Sequence, residues 1–156
     1  MAITAVRHVG IVVSDLQRSL WFYRDLLGME PWADFRDSSP YVQSVTGVAG
    51  ADVRMVKLKA TDGVSVDLLQ YLSHPQDVPG PVRACDVGCN HVALQVDDLD
   101  ALYVRLAAHG ISFHAPPTVS SDGGAKVTYC RDPEGVMVEL VELLPKAAPV
   151  SQRTEQ

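Results

Sequence analysis

The sequence predicts an α+β fold assembled from two copies of one module, and three observations carry that prediction. A segment near the N-terminus returns 83 residues later. Each copy opens with a short strand, passes into an amphipathic helix and continues in strands. The 156 residues are also enough for one domain with a sizeable core and no staple of disulfides or structural metal.

The repeat is explicit. Arg7–Leu16 (RHVGIVVSDL) reads like Asn90–Leu99 (NHVALQVDDL), an offset of 83 that carries His8 onto His91 and Asp15 onto Asp98. Later in each half, Gly63–Leu68 (GVSVDL) matches Gly135–Leu140 (GVMVEL) at an offset of 72. The 11-residue drop assigns a longer loop to the first half, around Asp34 to Gly50. The expected organisation is one domain over residues 1–146, with module one at about 3–73 and module two at about 87–144. A Pro-rich linker at about 74–86 joins them, and a polar, flexible tail follows at 147–156.

The opening strands are Arg7 to Val13 and Asn90 to Val96, rich in β-branched and aliphatic residues. Asp15 and Asp98 are the expected helix N-caps, and Gly28 and Gly110 the expected stops. Leu16, Leu20, Tyr23 and Leu27 recur at helical spacing in the first helix; Leu99, Leu102, Tyr103 and Leu106 do so in the second. Further strands are expected at Val53–Leu58, Val64–Leu72, Ser112–Phe113, Lys126–Cys130 and Val136–Leu143. Trp21, Phe22 and Tyr23 are assigned to packing, and Gly123-Gly124 to a turn.

Composition narrows the function. Thirteen Lys and Arg against nineteen Asp and Glu give a net charge of −6 and no basic run, which argues against nucleic acid or anionic lipid as a partner. No run reaches the roughly 18 apolar residues of a membrane span. The three cysteines, Cys85, Cys89 and Cys130, suit a reducing cytoplasm. Cys85, Cys89 and His91 do not have the spacing of a familiar zinc site.

Strand parity then picks out four polar residues. Val9, Ile11 and Val13 share one face, as do Val92, Leu94 and Val96, Val64, Val66 and Leu68, and Val136, Val138 and Leu140. The opposite faces carry His8 beside Gly10, His91 beside Ala93, Asp67 between Ser65 and Leu69, and Glu139 between Met137 and Val141. A strand His or Asp is more often a satisfied structural residue than a ligand, but here four recur at corresponding places in two copies. A carboxylate in an apolar row is costly without a partner. Two imidazoles and two carboxylates meeting across a pseudo-twofold make a donor set for one divalent ion of Fe, Mn, Co, Ni or Zn. Asp67, one methylene shorter than Glu139, is either a ligand or a base behind the ligands.

The segments His8–Glu30, Asn90–Leu102 and Tyr129–Glu142 (YCRDPEGVMVELVE) resemble the vicinal oxygen chelate superfamily. That superfamily includes glyoxalases, acyl-CoA epimerases, ring-cleaving dioxygenases and bleomycin- or fosfomycin-resistance proteins. The resemblance implies tandem βαβββ modules whose concave sheets enclose a metal held by His8, His91 and Glu139. Asp67 falls where glyoxalases and epimerases carry a fourth ligand, usually Glu or Gln. Tyr129 lies ten residues before Glu139, a spacing common in ring-cleaving dioxygenases. Those enzymes tend to carry a His near the position of Asp67, whereas epimerases carry a second Glu on the strand that here reads Val53–Leu58 with no carboxylate.

The expectation is therefore an enzyme of lyase or isomerase type, glyoxalase- or epimerase-like. Its small substrate would bind through adjacent oxygens and react by Lewis-acid stabilisation of an enolate-like anion. Glu139 or Asp67 would move the proton, with Tyr129 as the third catalytic candidate. An Fe(II) ring-cleaving dioxygenase and a metal-free drug-binding protein are the alternatives. A homodimer is implied by the family resemblance alone. His74, His109 and His114 are expected at the surface.

Overall fold

The computed structural model describes residues 2–74, 80 and 82–145. The expected tail at 147–156 and residues 75–79 and 81 of the Pro-rich linker lie outside the described residues. Chain contacts divide the molecule into two compact units, Met1–Cys89 with Asp132–Val136, and Asn90–Arg131 with Met137–Gln156.

The first unit carries a four-stranded sheet in the order β1-β4-β3-β2, built from β1 (His8–Val12), β2 (Glu30–Asp37), β3 (Val53–Lys59) and β4 (Ser65–Tyr71). β1 runs parallel to β4, and the other neighbours are antiparallel. A parallel neighbour requires a crossover, which the helix after β1 supplies. Asp15 caps that helix, accepting from the backbone N–H groups of Gln17 and Arg18. α1 (Leu16–Leu20) then widens into a π-helical segment, Trp21–Leu26, in which Leu27 N–H donates to the Phe22 carbonyl at 3.0 Å. The widening moves the buried position from the expected Leu27 to Leu26, and the helix stops at Gly28 with φ of 76°.

The stretch from Asp34 to Gly50, expected as a loop, is instead structured. It contains the end of β2 and a short helix, α2 (Pro40–Thr46), with proline in its first turn and Gly47 left-handed after it. β2 escaped the sequence pattern because it is an edge strand with no buried residue, so its residues do not alternate. Ion pairs hold it: Arg54 donates to both oxygens of Asp34 at 3.1 and 2.8 Å. Val42 on α2 packs with Ala51 and Val53 in a small cluster of its own. The main core draws on Ile11, Leu16, Leu20, Phe22, Leu58 and Leu68.

The turn Asp132–Val136 belongs to this unit. Glu134 accepts from Ser14 N–H and Oγ and from Asp15 N–H, so its carboxylate sits at the positive end of α1. Asp132, 5% exposed, accepts the phenol proton of Tyr23 at 2.9 Å.

The second unit repeats the topology in the order β5-β8-β7-β6, with β5 (His91–Gln95), β6 (Thr118–Val119), β7 (Ala125–Arg131) and β8 (Met137–Leu143). β5 is parallel to β8 across the crossover helix α3 (Leu99–Ala108). Asp98 caps α3 by accepting from Ala101 N–H, and Leu99, Leu102 and Leu106 are its buried face. The expected strand at Ser112–Phe113 is only a single bridge from Phe113 to Cys130; the edge strand forms at Thr118–Val119 instead. Leu140 and Val138 lie at the centre of this unit's core. No helix among the described residues is long and apolar enough to cross a membrane.

Candidate functional site

Each unit builds one half of the predicted constellation, and the strand registers explain how. In the first sheet Gly10 pairs with Asp67 on one side, and Lys57 pairs with Asp67 on the other. In the second, Ala93 and Tyr129 flank Glu139 in the same way. The two halves of the repeat thus share one ladder register around each carboxylate. His8 and His91 each occupy the first position of the parallel strand.

The second unit holds the tighter pair. His91 Nε2 lies 2.9 Å from Glu139 Oε2, with side-chain exposures of 45% and 17%. Tyr129 meets the His91 ring edge-on at a centroid distance of 5.5 Å and stacks on His114 at 6.5 Å. Burial, a hydrogen bond to Glu139 and the charge of that carboxylate together push the Tyr129 phenol above its ordinary value.

In the first unit His8 Nε2 is 4.0 Å from Asp67 Oδ2. The Asp67 side chain is only 2% exposed, and both of its oxygens are engaged. Ser65 Oγ donates to Oδ1, and the Lys57 ammonium is seated on Oδ2. Burial of this carboxylate is therefore compensated by a lysine rather than by an imidazole alone.

His8 and Asp67 are brought together, as are His91 and Glu139 with Tyr129. Among the described residues no group of three or more His, Cys, Asp or Glu side chains is placed to hold a metal ion. Cys85, Cys89 and Cys130 are free of disulfides. The donor chemistry within the second unit nevertheless suits a divalent ion, since imidazole Nε2 of His91 and Oε2 of Glu139 converge on each other. In the first unit His8 Nε2 stands at the equivalent strand position beside Asp67. Asp67 fits less well, since an arriving ion would compete with an ammonium already bound.

Lys57 is the residue that sequence reasoning passed over. Its strand carries no carboxylate, yet the 72-residue offset that relates Asp67 to Glu139 also carries Lys57 onto Tyr129. A cavity of about 160 Å³ opens beside it, lined by Arg7, His8, Trp32, Lys57, Lys59 and Asp67 together with Gly63 and Ser65.

A family model for the glyoxalase/bleomycin resistance protein/dioxygenase superfamily matches residues 7–130. The chain belongs to that superfamily. Among its relatives, a 2-epi-5-epi-valiolone epimerase from Actinomyces sp. is 30% identical over 158 residues, covering 97% of this chain and 85% of that protein. The crystal structure of a glyoxalase family protein from Bacillus cereus is similar with a TM-score of 0.84 and 22% identity, over 93% of this chain and 97% of that one. The trypanothione-dependent glyoxalase I of Leishmania major is similar with a TM-score of 0.62 and 21% identity, over 90% and 87% of the two chains. These superfamily neighbours share the paired sheet-and-helix modules, and the α+β fold expected from the repeat is the fold observed.

Proposed function

We propose that this superfamily member is a metal-dependent isomerase or lyase, epimerase-like in its chemistry, acting on a small molecule that offers two neighbouring oxygens. The observation that carries the reading is the His91–Glu139 pair at 2.9 Å, with Tyr129 across the ladder from the carboxylate. Its counterpart in the first repeat, His8 beside Asp67, supports it. The 30% identity to an epimerase favours isomerisation over the other chemistries of the superfamily.

In this reading His8, His91 and Glu139 would hold one divalent ion, which would supply Lewis-acid polarisation of a substrate oxygen. The chain's own groups handle the protons. Glu139 would take a proton from a substrate carbon, and the Tyr129 phenol would steady that carboxylate by hydrogen bonding. Inverting a stereocentre requires a second group to return a proton to the opposite face of the same carbon.

A second reading, Fe(II)-dependent ring cleavage, draws on Tyr129 alone, which approaches Glu139 at the spacing dioxygenases share. The two part cleanly in one experiment. Protein purified without chelators is analysed for metal beside Glu139→Ala, then incubated in deuterium oxide with cyclic hydroxyketones and, separately, with catechols under an oxygen electrode. About one divalent ion per chain, lost in the variant, with deuterium entering a hydroxyketone, supports the proposal. Oxygen uptake with a catechol supports ring cleavage, and no metal after reloading overturns both.

A further inference from the structure

The cavity of the first unit has a charge that the proposed proton transfers do not require. Arg7, Lys57 and Lys59 line it against one carboxylate, Asp67, in a chain whose net charge is −6. Lys57 is committed to Asp67, and Lys59 approaches Glu30 only at 3.8 Å, with both side chains well exposed. Arg7 makes no ion pair among the described residues. Two cationic groups therefore face the same small space with little or nothing to neutralise them.

A second, independent feature points to a ligand. The pairing of β2 with β3 slips between Pro31 and Ala33, leaving Trp32 as the extra residue of a β-bulge. The bulge puts the indole into the cavity lining while leaving it 52% exposed. The Lys57 ammonium lies 5.7 Å from the ring centroid, so one side of the indole is occupied by a cation. An aromatic of this size held half in water offers a flat apolar surface to a ring or carbon chain. At about 160 Å³ the cavity is below the range of roughly 300–1,000 Å³ of drug-sized sites, so the group it encloses is small.

We infer that this cavity is an anion subsite, in which Arg7 and Lys59 bind the carboxylate or phosphate group of a small organic acid while Trp32 covers its carbon skeleton. An arginine fork matches either oxyanion in a bidentate manner, and a lysine adds a point charge. The inference deepens the proposed function by naming the substrate class. It rests on that reading only in calling the ligand a substrate, because His8 borders the cavity.

Calorimetric titration of the whole chain, both stripped of metal and loaded with it, tests the subsite without turnover. The probes are glucose 6-phosphate, glucuronate and glucose, which share a ring and differ in charge. The expected result is that at least one anion binds at least tenfold more tightly than glucose, with affinity falling as salt is added. Whichever anion binds identifies the oxyanion as phosphate or carboxylate. Arg7→Gln and Lys59→Gln should each weaken that anion about tenfold, with thermal melts confirming that both variants fold. Lys126→Gln, which removes a lysine of the other unit paired with Asp100, should leave the affinity unchanged. Equal binding of glucose and the anions, no binding of any probe, or indifference to both cavity variants would overturn the inference. Because stripped protein is included, absence of a bound metal would sink the proposed function while leaving the subsite to be judged separately.

Discussion

Lys57 and Asp67 stand opposite each other across the β3–β4 ladder, with the ammonium seated on a carboxylate whose side chain is 2% exposed. Removing the lysine leaves that carboxylate with Ser65 as its remaining close donor. Breaking a buried pair on one side costs about 3–5 kcal/mol. Lys57 is itself 20% exposed, so water relieves part of the cost and Lys57→Met should lose roughly 2–3 kcal/mol. The double variant Lys57→Met/Asp67→Leu should recover most of it. Urea denaturation of the parent, the single and the double variant checks this, and an additive double variant would show that the pair is not coupled.

Glu139 is the carboxylate on which the metal reading turns. Glu139→Ala removes a negative donor and should abolish retention of the ion through gel filtration, while Tyr129→Phe, which keeps every donor, should retain it. The phenylalanine variant loses only the hydrogen bond to Glu139. It should therefore show slower deuterium exchange at full metal content, by about tenfold or more. Elemental analysis of both proteins reads the outcome. Equal metal in Glu139→Ala and parent would remove this residue from the ligand set.

Much of this was legible in the sequence because a repeat doubles every signal. The offset of 83 carries Gly10 onto Ala93 and that of 72 carries Asp67 onto Glu139, and the two parallel ladders pair these equivalent residues in the same way. Other features left no such trace. Leucines spaced three or four apart do not distinguish an α-helical turn from the π-helical segment at Trp21–Leu26, so the exchange of Leu27 for Leu26 was hidden. β2 has no buried face to generate alternation, and its ion pairs join residues far apart in sequence. Lys57 was hidden for a different reason: a lysine in a strand ordinarily reads as solvated, and only the carboxylate facing it gives it a role.

Ser19 offers a test of the core independent of function. It is fully buried on α1, and its Oγ has no hydrogen-bond partner among the described residues. A buried hydroxyl without a partner carries a desolvation cost, and serine is also a poorer helix former than alanine. Ser19→Ala should therefore stabilise the protein by about 1 kcal/mol. Thermal and urea unfolding measure it, and a destabilised variant would mean that the hydroxyl is satisfied in solution.

Asp132 makes a prediction with a sign that depends on pH. Burial pushes its carboxyl above the ordinary value of 3.8, against the downward pull of hydrogen bonds from the Tyr23 phenol and from the backbone N–H groups of Val136 and Glu134. The folded protein therefore holds this proton more tightly than the unfolded chain does. Between 3.8 and the raised folded value, stability should fall as pH rises, because the unfolded state has already released a proton that the folded state retains. Above the folded value the loss is complete and stays constant. Asp132→Asn keeps an acceptor for the backbone donors but cannot ionise, so its contribution should not change with pH. Denaturation midpoints of parent and variant, taken at steps from pH 4 to 7, give a difference from which the other titrating groups cancel. That difference should shift in the variant's favour as pH rises and then level off. Asp132→Ala, which strands the Tyr23 hydroxyl and two backbone donors, should instead cost about 1–3 kcal/mol across the whole range.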